Sequence, residues 1–292
     1  MIMSLTSLLD DSQSNVYQFF KTNFNFRSFL HEENMSIQDT YTLKPKQMYQ
    51  YPWTSVGHIV EYLFMLQNNI MIKDLFPIRF GLQIHEYQSF CKKLISQYSH
   101  FSQNFQQSSF NFSELVDNLY RLAQIESVIR NGKPKNAQNI LFSHANNNVH
   151  EDIKNIYEQS LKENLIIKNY PGKIYYNPTF EGSSLVQGAD ADFYIVQKNG
   201  NFLVDLKTTI HPKIEENMLF QLLGYVFLDI SNKNNIQQVG IYLTRQNLFS
   251  NWDVSSLIQE YSSFQNFTQA QHEFIHSIYA KKRHSFSKTL KT

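Results

Sequence analysis

Residues 188–209 constrain this chain more than any other stretch. They read Gly188-Ala-Asp190-Ala-Asp192-Phe-Tyr-Ile-Val196, then Gln-Lys-Asn199-Gly200, then Asn-Phe-Leu-Val-Asp205-Leu206-Lys207-Thr-Thr209. Two short apolar runs flank an Asn-Gly pair, a strong hairpin signal because both central turn residues adopt positive φ. A two-residue turn would place Ile195 opposite Val204, Phe193 opposite Leu206 and Asp192 opposite Lys207. One face is then apolar, and the other carries Tyr194, Asp192, Asp205 and Lys207. A slip of one residue would bring the acids into the core and the apolar set into water. A longer loop is the alternative. In this register Asp192 and Asp205 are diagonal neighbours, roughly 7–8 Å apart. Asp190 lies one step further out, opposite Thr209.

Two carboxylates at that separation can converge on one divalent cation with an ammonium beside them. Aspartate oxygens suit Mg²⁺ or Mn²⁺. Such an ion orients and acidifies a water and neutralises charge on a phosphate. A neighbouring lysine stabilises the developing negative charge. The following segment, Pro212 to Ile230, reads as a helix, with Pro212 near its start and Glu215 and Glu216 in its first turn. Gln221 and Tyr225 stand at i and i+4 and share a face. The run Gln238–Thr244 reads as a strand.

Acid, hairpin, Asp-x-Lys and Gln-x-x-x-Tyr in this order resemble the PD-(D/E)XK nuclease superfamily, most closely its RecB-like exonuclease-type branch. Asp192, Asp205-Leu206-Lys207 and Gln221-Leu-Leu-Gly-Tyr225 carry the resemblance, with Tyr51–Glu61 similar to the helix that supplies an acid in many members. The resemblance implies a restriction-endonuclease-like α/β core, a small mixed sheet flanked by helices. It implies that Asp192, Asp205 and the Leu206 carbonyl bind Mg²⁺ or Mn²⁺, with Glu61 as a third carboxylate. Lys207 would serve the attacking water, and Gln221 and Tyr225 would contact the nucleic-acid backbone or brace the site. Two acids, Asp190 and Asp192, compete for the first position, and the hairpin register favours Asp192. The implied activity is hydrolysis of DNA phosphodiesters. An RNA nuclease of the same chemistry, or a non-catalytic nucleic-acid-binding or assembly module on the same fold, is the alternative.

Composition bounds this reading. The 292 residues carry a net charge of +1, so no global basic field advertises nucleic-acid binding and any footprint is local. A helicase or recognition domain is not evident, which suggests a separate targeting partner protein. The single cysteine, Cys91, leaves no internal disulfide and no cysteine-based zinc cluster. No signal peptide or apolar stretch of about 18 residues is seen, so a cytoplasmic protein with no membrane contact is expected. Gly-rich phosphate loops and Gly-x-Ser-x-Gly elbows are missing.

One domain over 1–292 is expected: a mainly helical part at 1–164, an αβ catalytic core at 165–244 and a helical C-terminal extension at 245–292. Phe19, Phe20, Phe24, Phe26 and Phe29 crowd one or two early helices. Helices are expected at 55–70, 82–99, after an N-cap at Ser113, and at 149–162. Asn131-Gly-Lys-Pro134 is a stop signal, and 99–112 reads as a connection. His144 and His150 flank an Asn run whose spacing matches no standard metal pattern. Leu165–Lys168 and Lys173–Tyr176 read as strands, and 251–264 and 268–282 as helices. The basic end, Lys281 to Lys291, reads as a solvated terminus, with phosphate contact as the alternative.

Overall fold

The computed structural model describes residues 4–98, 111–132, 136–162, 165–198 and 200–289, with the backbone alone for 131, 165, 167 and 280–289. Residues 99–110 of the connection expected at 99–112, Asn199 of the expected turn, Lys133 and Pro134 of the stop signal, and residues 290 and 291 of the basic end lie outside the described residues. The helices before the sheet begin with α1 Leu5–Asp10, α2 Asn15–Asn23, α3 Arg27–Ile37, α4 Trp53–Gln67, α5 Phe76–Gly81, α6 His85–Gln97, α7 Phe112–Asn131, α8 Ala137–Leu141 and α9 Asn147–Ile156. After α10 (Leu165–Asn169) come the strands β1 Lys173–Tyr176, β2 Phe193–Val196 and β3 Asn201–Lys207. Helix α11 (Glu216–Leu228) crosses to β4 (Ile236–Leu243), and β5 (Leu248–Asp253), α12 (Val254–Tyr261) and α13 (Phe267–Thr289) follow.

The sheet is open, mixed and five-stranded, in the order β1-β2-β3-β4-β5. β1, β2 and β3 are antiparallel neighbours, β3 and β4 are parallel, and β4 and β5 are antiparallel. A parallel pair needs a long crossover, and α11 supplies it. Helices cover both faces. Phe193, Ile195, Phe202 and Val204 pack with Ile59, Leu63 and Phe64 of α4 and Leu119 and Leu122 of α7. Leu203, Val239, Ile241 and Leu243 pack on the other side with Leu219, Leu223 and Phe227 of α11. Burial on both faces explains why Val239–Leu243 of β4 reads as an unbroken run rather than an alternating one.

The phenylalanine bias goes into this second core. The Phe20 ring stacks on Phe220 with centroids 4.8 Å apart, and Phe19 meets Phe274 edge-on at 5.4 Å. Gly224 lets α1 approach α11 closely: a Cβ there would lie 3.0 Å from a Leu5 methyl.

Four local expectations are corrected. The expected strand Leu165–Lys168 lies in a helix, Leu165–Asn169, and Ile166 is a buried core residue of it. Residues 248–253 form a fifth strand inside the expected helical extension, and Asp253 ends it by capping α12 through Ser256 N–H. Asn111, not Ser113, caps α7, accepting from Glu114 N–H. Helix α11 starts at Glu216, past Pro212. Gly132 ends α7 as expected, at φ 61° with its N–H on the Val128 carbonyl.

Candidate active site

The hairpin faces are as expected, but the register is not. Phe193 pairs with Val204, Tyr194 with Leu203 and Ile195 with Phe202. Residues 197–200 connect the strands, with Gly200 at φ +133° and Gln197 N–H donating to Asn201 Oδ1 at 3.2 Å. The connection is therefore four residues long, two more than a tight Asn-Gly turn. A slip of two residues keeps every side chain on its face. It also moves Asp192 from the diagonal to the position directly across from Asp205.

Lys207 is consequently not opposite Asp192. Its ammonium lies 2.7 Å from Asp205 Oδ2 on its own strand and donates to Gln221 Oε1 at 3.0 Å. The approach to Asp205 is an ion pair rather than a well-directed hydrogen bond, because Oδ2 makes no hydrogen bond of good geometry. Gln221 Nε2 donates to the Tyr225 hydroxyl at 2.8 Å and to Thr6 Oγ1 of α1 at 3.4 Å. Tyr225 is buried, and its ring stacks on Phe180 at 5.9 Å. The i,i+4 pair on α11 thus forms a relay from the buried tyrosine to the lysine.

Asp192 precedes β2 and is half-buried. Its Oδ2 accepts from Leu206 N–H at 2.5 Å. Lys207 gives its carbonyl to Thr244 N–H on the β4 side at 2.9 Å. Strand alternation then turns the N–H and carbonyl of Leu206 to the β2 side, where Asp192 stands. The segment Asn177–Phe180 runs alongside: Asn177 N–H donates to the Asp192 carbonyl at 2.9 Å, and Thr179 bridges Asp190.

Asp190 is occupied elsewhere. Arg130 of α7 grips it with both terminal nitrogens, at 3.2 and 2.7 Å, and its Nε lies 2.6 Å from Glu126. Neither arginine nor glutamate was expected near the site, since both lie some sixty positions away in sequence. Glu126 also takes the Tyr62 hydroxyl and lies 3.9 Å from His58 Nδ1. His58 in turn holds Glu61 at 3.6 Å. His58 precedes Glu61 by three residues on a helix, and that spacing was its signal in the sequence.

Electrostatics mark the cluster. Burial raises the Asp192 pKa well above the ordinary carboxylate range, and the charges of Asp205 and Glu61 add to the rise. Glu61 is raised too, by burial and by Glu126, against the relief given by His58. Burial works against charge on Lys207, but Asp205 and Asp192 outweigh it and its pKa is raised. The acids of the cluster thus disfavour one another's charge, and Asp192 and Glu61 hold their protons more tightly than free carboxylates do. Among the described residues no three Asp, Glu, His or Cys side chains lie close enough to hold a metal by themselves. The candidate donors are half-buried Asp192 and buried Asp205, with the Leu206 carbonyl turned to the same β2 side. Magnesium, which keeps several waters and takes only one or two carboxylates, fits such a pair.

His144, in a loop, and His150, in α9, converge on Asp117, each at 3.1 Å, while Arg121 donates toward His144. A guanidinium in that cluster fills the place of a cation. No protein-family model matches the chain, and neither a curated protein nor a solved structure shows significant similarity to it. Among the described residues no helix is long and apolar enough to cross a membrane.

Proposed function

We propose that this protein is a metal-dependent nuclease hydrolysing phosphodiester bonds of DNA, built on a restriction-endonuclease-like core. The observation that carries the reading is the pair of acids Asp192 and Asp205, which the β2–β3 register brings across from one another, with Lys207 paired to Asp205. The order of helix α4, three antiparallel strands, crossover helix α11 and a strand parallel to the third supports it. So does the resemblance of Asp192, Asp205-Leu-Lys207 and Gln221-x-x-x-Tyr225 to the PD-(D/E)XK superfamily.

Asp192, Asp205 and the Leu206 carbonyl would hold Mg²⁺ or Mn²⁺. A bound ion there lowers the pKa of a coordinated water and offsets charge building on the phosphate. Lys207 keeps its proton, because its pKa is raised, so it acts as a fixed cation and hydrogen-bond donor rather than as a base. It steadies the attacking oxygen and the charge that develops in the transition state. Gln221 holds the ammonium in place, and Tyr225 fixes the amide so that its oxygen faces Lys207. Asp190 is a strut for Arg130 and does not enter the chemistry.

The deciding experiment incubates the protein with linear DNA, circular DNA and RNA in Mg²⁺, Mn²⁺ or EDTA. Metal-dependent cleavage of DNA supports the reading. Cleavage of RNA alone makes it an RNA nuclease of the same chemistry. Binding in Ca²⁺ with no cleavage under any metal leaves a binding module.

A further inference from the structure

We propose that residues 41–53 form a stacking track for a single-stranded segment of nucleic acid, laid against the end of β3 that carries Lys207. The identity of the ligand as nucleic acid rests on the nuclease reading above. The track itself rests on separate observations.

The segment between α3 and α4 has no regular secondary structure beyond turns, yet it is fixed in place. Leu43 N–H donates to the Arg245 carbonyl at 3.0 Å, and Arg245 Nη1 donates back to the Leu43 carbonyl at 3.3 Å. Gln246 donates to Thr42 Oγ1 at 3.2 Å. Gln47 exchanges two hydrogen bonds with the Asn148 side chain, at 3.1 and 2.8 Å. The Tyr51 hydroxyl donates to buried Asp152. A backbone pinned this way does not lose much further freedom when a ligand arrives.

Tyr51 is buried, but the other three aromatic side chains of the segment are exposed. Tyr41 is 73% exposed, Tyr49 78% and Trp53 38%. Aromatic rings left in water on a rigid strap contribute little to the core, where many of the chain's phenylalanines are buried. Lys44 and Lys46 lie between them, both exposed. Lys46 pairs with Glu151 at 2.6 Å with three quarters of its side chain in water, an interaction weak enough for a phosphate to replace. Rings interleaved with ammonium groups match the alternating base and phosphate of a nucleic-acid strand.

The strap is joined to the candidate site through two residues. Arg245 Nε donates to the Thr208 carbonyl at 2.9 Å, and Gln246 Nε2 to the Thr209 carbonyl at 3.1 Å. Thr208 follows Lys207 directly. Trp53 lies 5.6 Å from the Arg245 guanidinium, so the strap's last ring is one side chain away from the strand. In a duplex the base faces are stacked on each other and unavailable. Rings that stack on bases therefore select an unpaired strand, and they do so without regard to sequence.

The test measures binding in Ca²⁺ of a short labelled oligothymidylate and of a blunt duplex of similar length. The wild type should prefer the single strand. Tyr41→Ala with Tyr49→Ala should weaken oligothymidylate binding by about tenfold per tyrosine, and Tyr41→Phe with Tyr49→Phe should retain it. Lys44→Ala should reduce the slope of log affinity against log salt by about one. Both tyrosines are exposed, so the variants should melt as the wild type does. Unchanged oligothymidylate binding by the double alanine variant, or no preference for single strands in the wild type, overturns the track and leaves the rings as a protein-binding surface. A separate arm follows Mn²⁺-dependent hydrolysis of bis(4-nitrophenyl) phosphate, a diester too small to span the track, by wild type and Asp205→Asn. If the wild type hydrolyses it and oligothymidylate binding ignores the tyrosines, the track fails while the nuclease reading stands. If both proteins are inert and the tyrosines still govern binding, the track stands and the nuclease reading fails.

Discussion

Two clusters of opposed charge flank the end of β3, and they are built on different principles. Beyond the strand, Arg245 and Asp152 are wholly buried and meet through two bonds of 2.7 Å each. The remaining guanidinium N–H groups serve the Thr208 and Leu43 carbonyls, and Tyr51 donates to the carboxylate. Every charge there has its counterpart. Around the strand's other face, Lys207 pairs with Asp205 and His58 with Glu61, and Asp192 and Glu61 have raised pKa values. The first cluster is closed and fully paired, whereas in the second the acids outnumber the cations beside them, a deficit that Asp192 and Glu61 meet by holding their protons more tightly.

The comparison breaks first on stability. Asp152→Asn or Arg245→Leu should cost about 3–5 kcal/mol in chemical denaturation, because each leaves one buried charge without its partner. Asp192→Asn should cost nothing or raise the midpoint, since it relieves repulsion. Equal losses at Asp152 and Asp192 would mean that both clusters are scaffolding.

On turnover the order reverses. Lys207→Ala should lower single-turnover DNA cleavage by about 10²–10³-fold, the usual effect of removing one donor aimed at developing charge. Binding in Ca²⁺ should hardly change. Lys207→Arg should not restore the rate, because a planar fork does not replace a compact ammonium between Asp205 and Gln221. Cleavage by Lys207→Ala at the wild-type rate would remove the catalytic reading.

A cation should then fill the deficit. Mn²⁺ at a hundredfold excess over its Kd should stabilise the fold by about 2.7 kcal/mol. Asp205→Ala should melt at the same temperature with and without Mn²⁺. A rise shared by both proteins would place the metal elsewhere.

The smallest expected effect is on pH dependence. Asp192 and Glu61 keep protons in the folded protein that the unfolded chain releases near pH 4, about the ordinary carboxylate value. Above that value the folded state binds more protons than the unfolded one, so stability falls as pH rises toward their raised pKa values. For His58, burial opposes charge, but its bond to Glu61 and the field of Glu126 raise its pKa. Its contribution is whole below about 6.5 and fades as pH rises through the raised value. The metal-free melting temperature should therefore decline from about pH 5 to 8, the range in which histidine also titrates, and decline less in Asp192→Asn. A flat wild-type profile would show the carboxylates to be relaxed.

Pattern made the strand faces legible because alternation has a period of two. Asp205 and Lys207 could be assigned to one face and Val204 to the other without knowing the turn. The register was not legible. Asn-Gly suits a two-residue turn, but the chain uses four residues, with Gln197 N–H held by the Asn201 side chain. Gln221 and Tyr225 were legible because a helix fixes the i,i+4 relation, and the bond between them follows directly. The fate of Asp190 was not, because it depends on Arg130, brought in by α7 from the other core. Strand β5 escaped for a related reason: every residue from Leu248 to Asp253 is half-buried, so it shows neither alternation nor an apolar run.

Helix α1 is tied to the rest of the molecule by partners far along the chain. Leu5 N–H bonds the Gly188 carbonyl, and Thr6 meets Gln221, 215 positions away. Ribosomes deliver α1 and the helices after it well before the strands they cover. The phenylalanines of α2 and the apolar side of α4 then face water until the hairpin and α11 emerge. Such long loop closures slow folding and expose sticky surfaces meanwhile. Refolding from denaturant should accordingly give its best yield in dilute solution, and Glu61, Asp192 and Gln221 meet only once nearly the whole chain has been made.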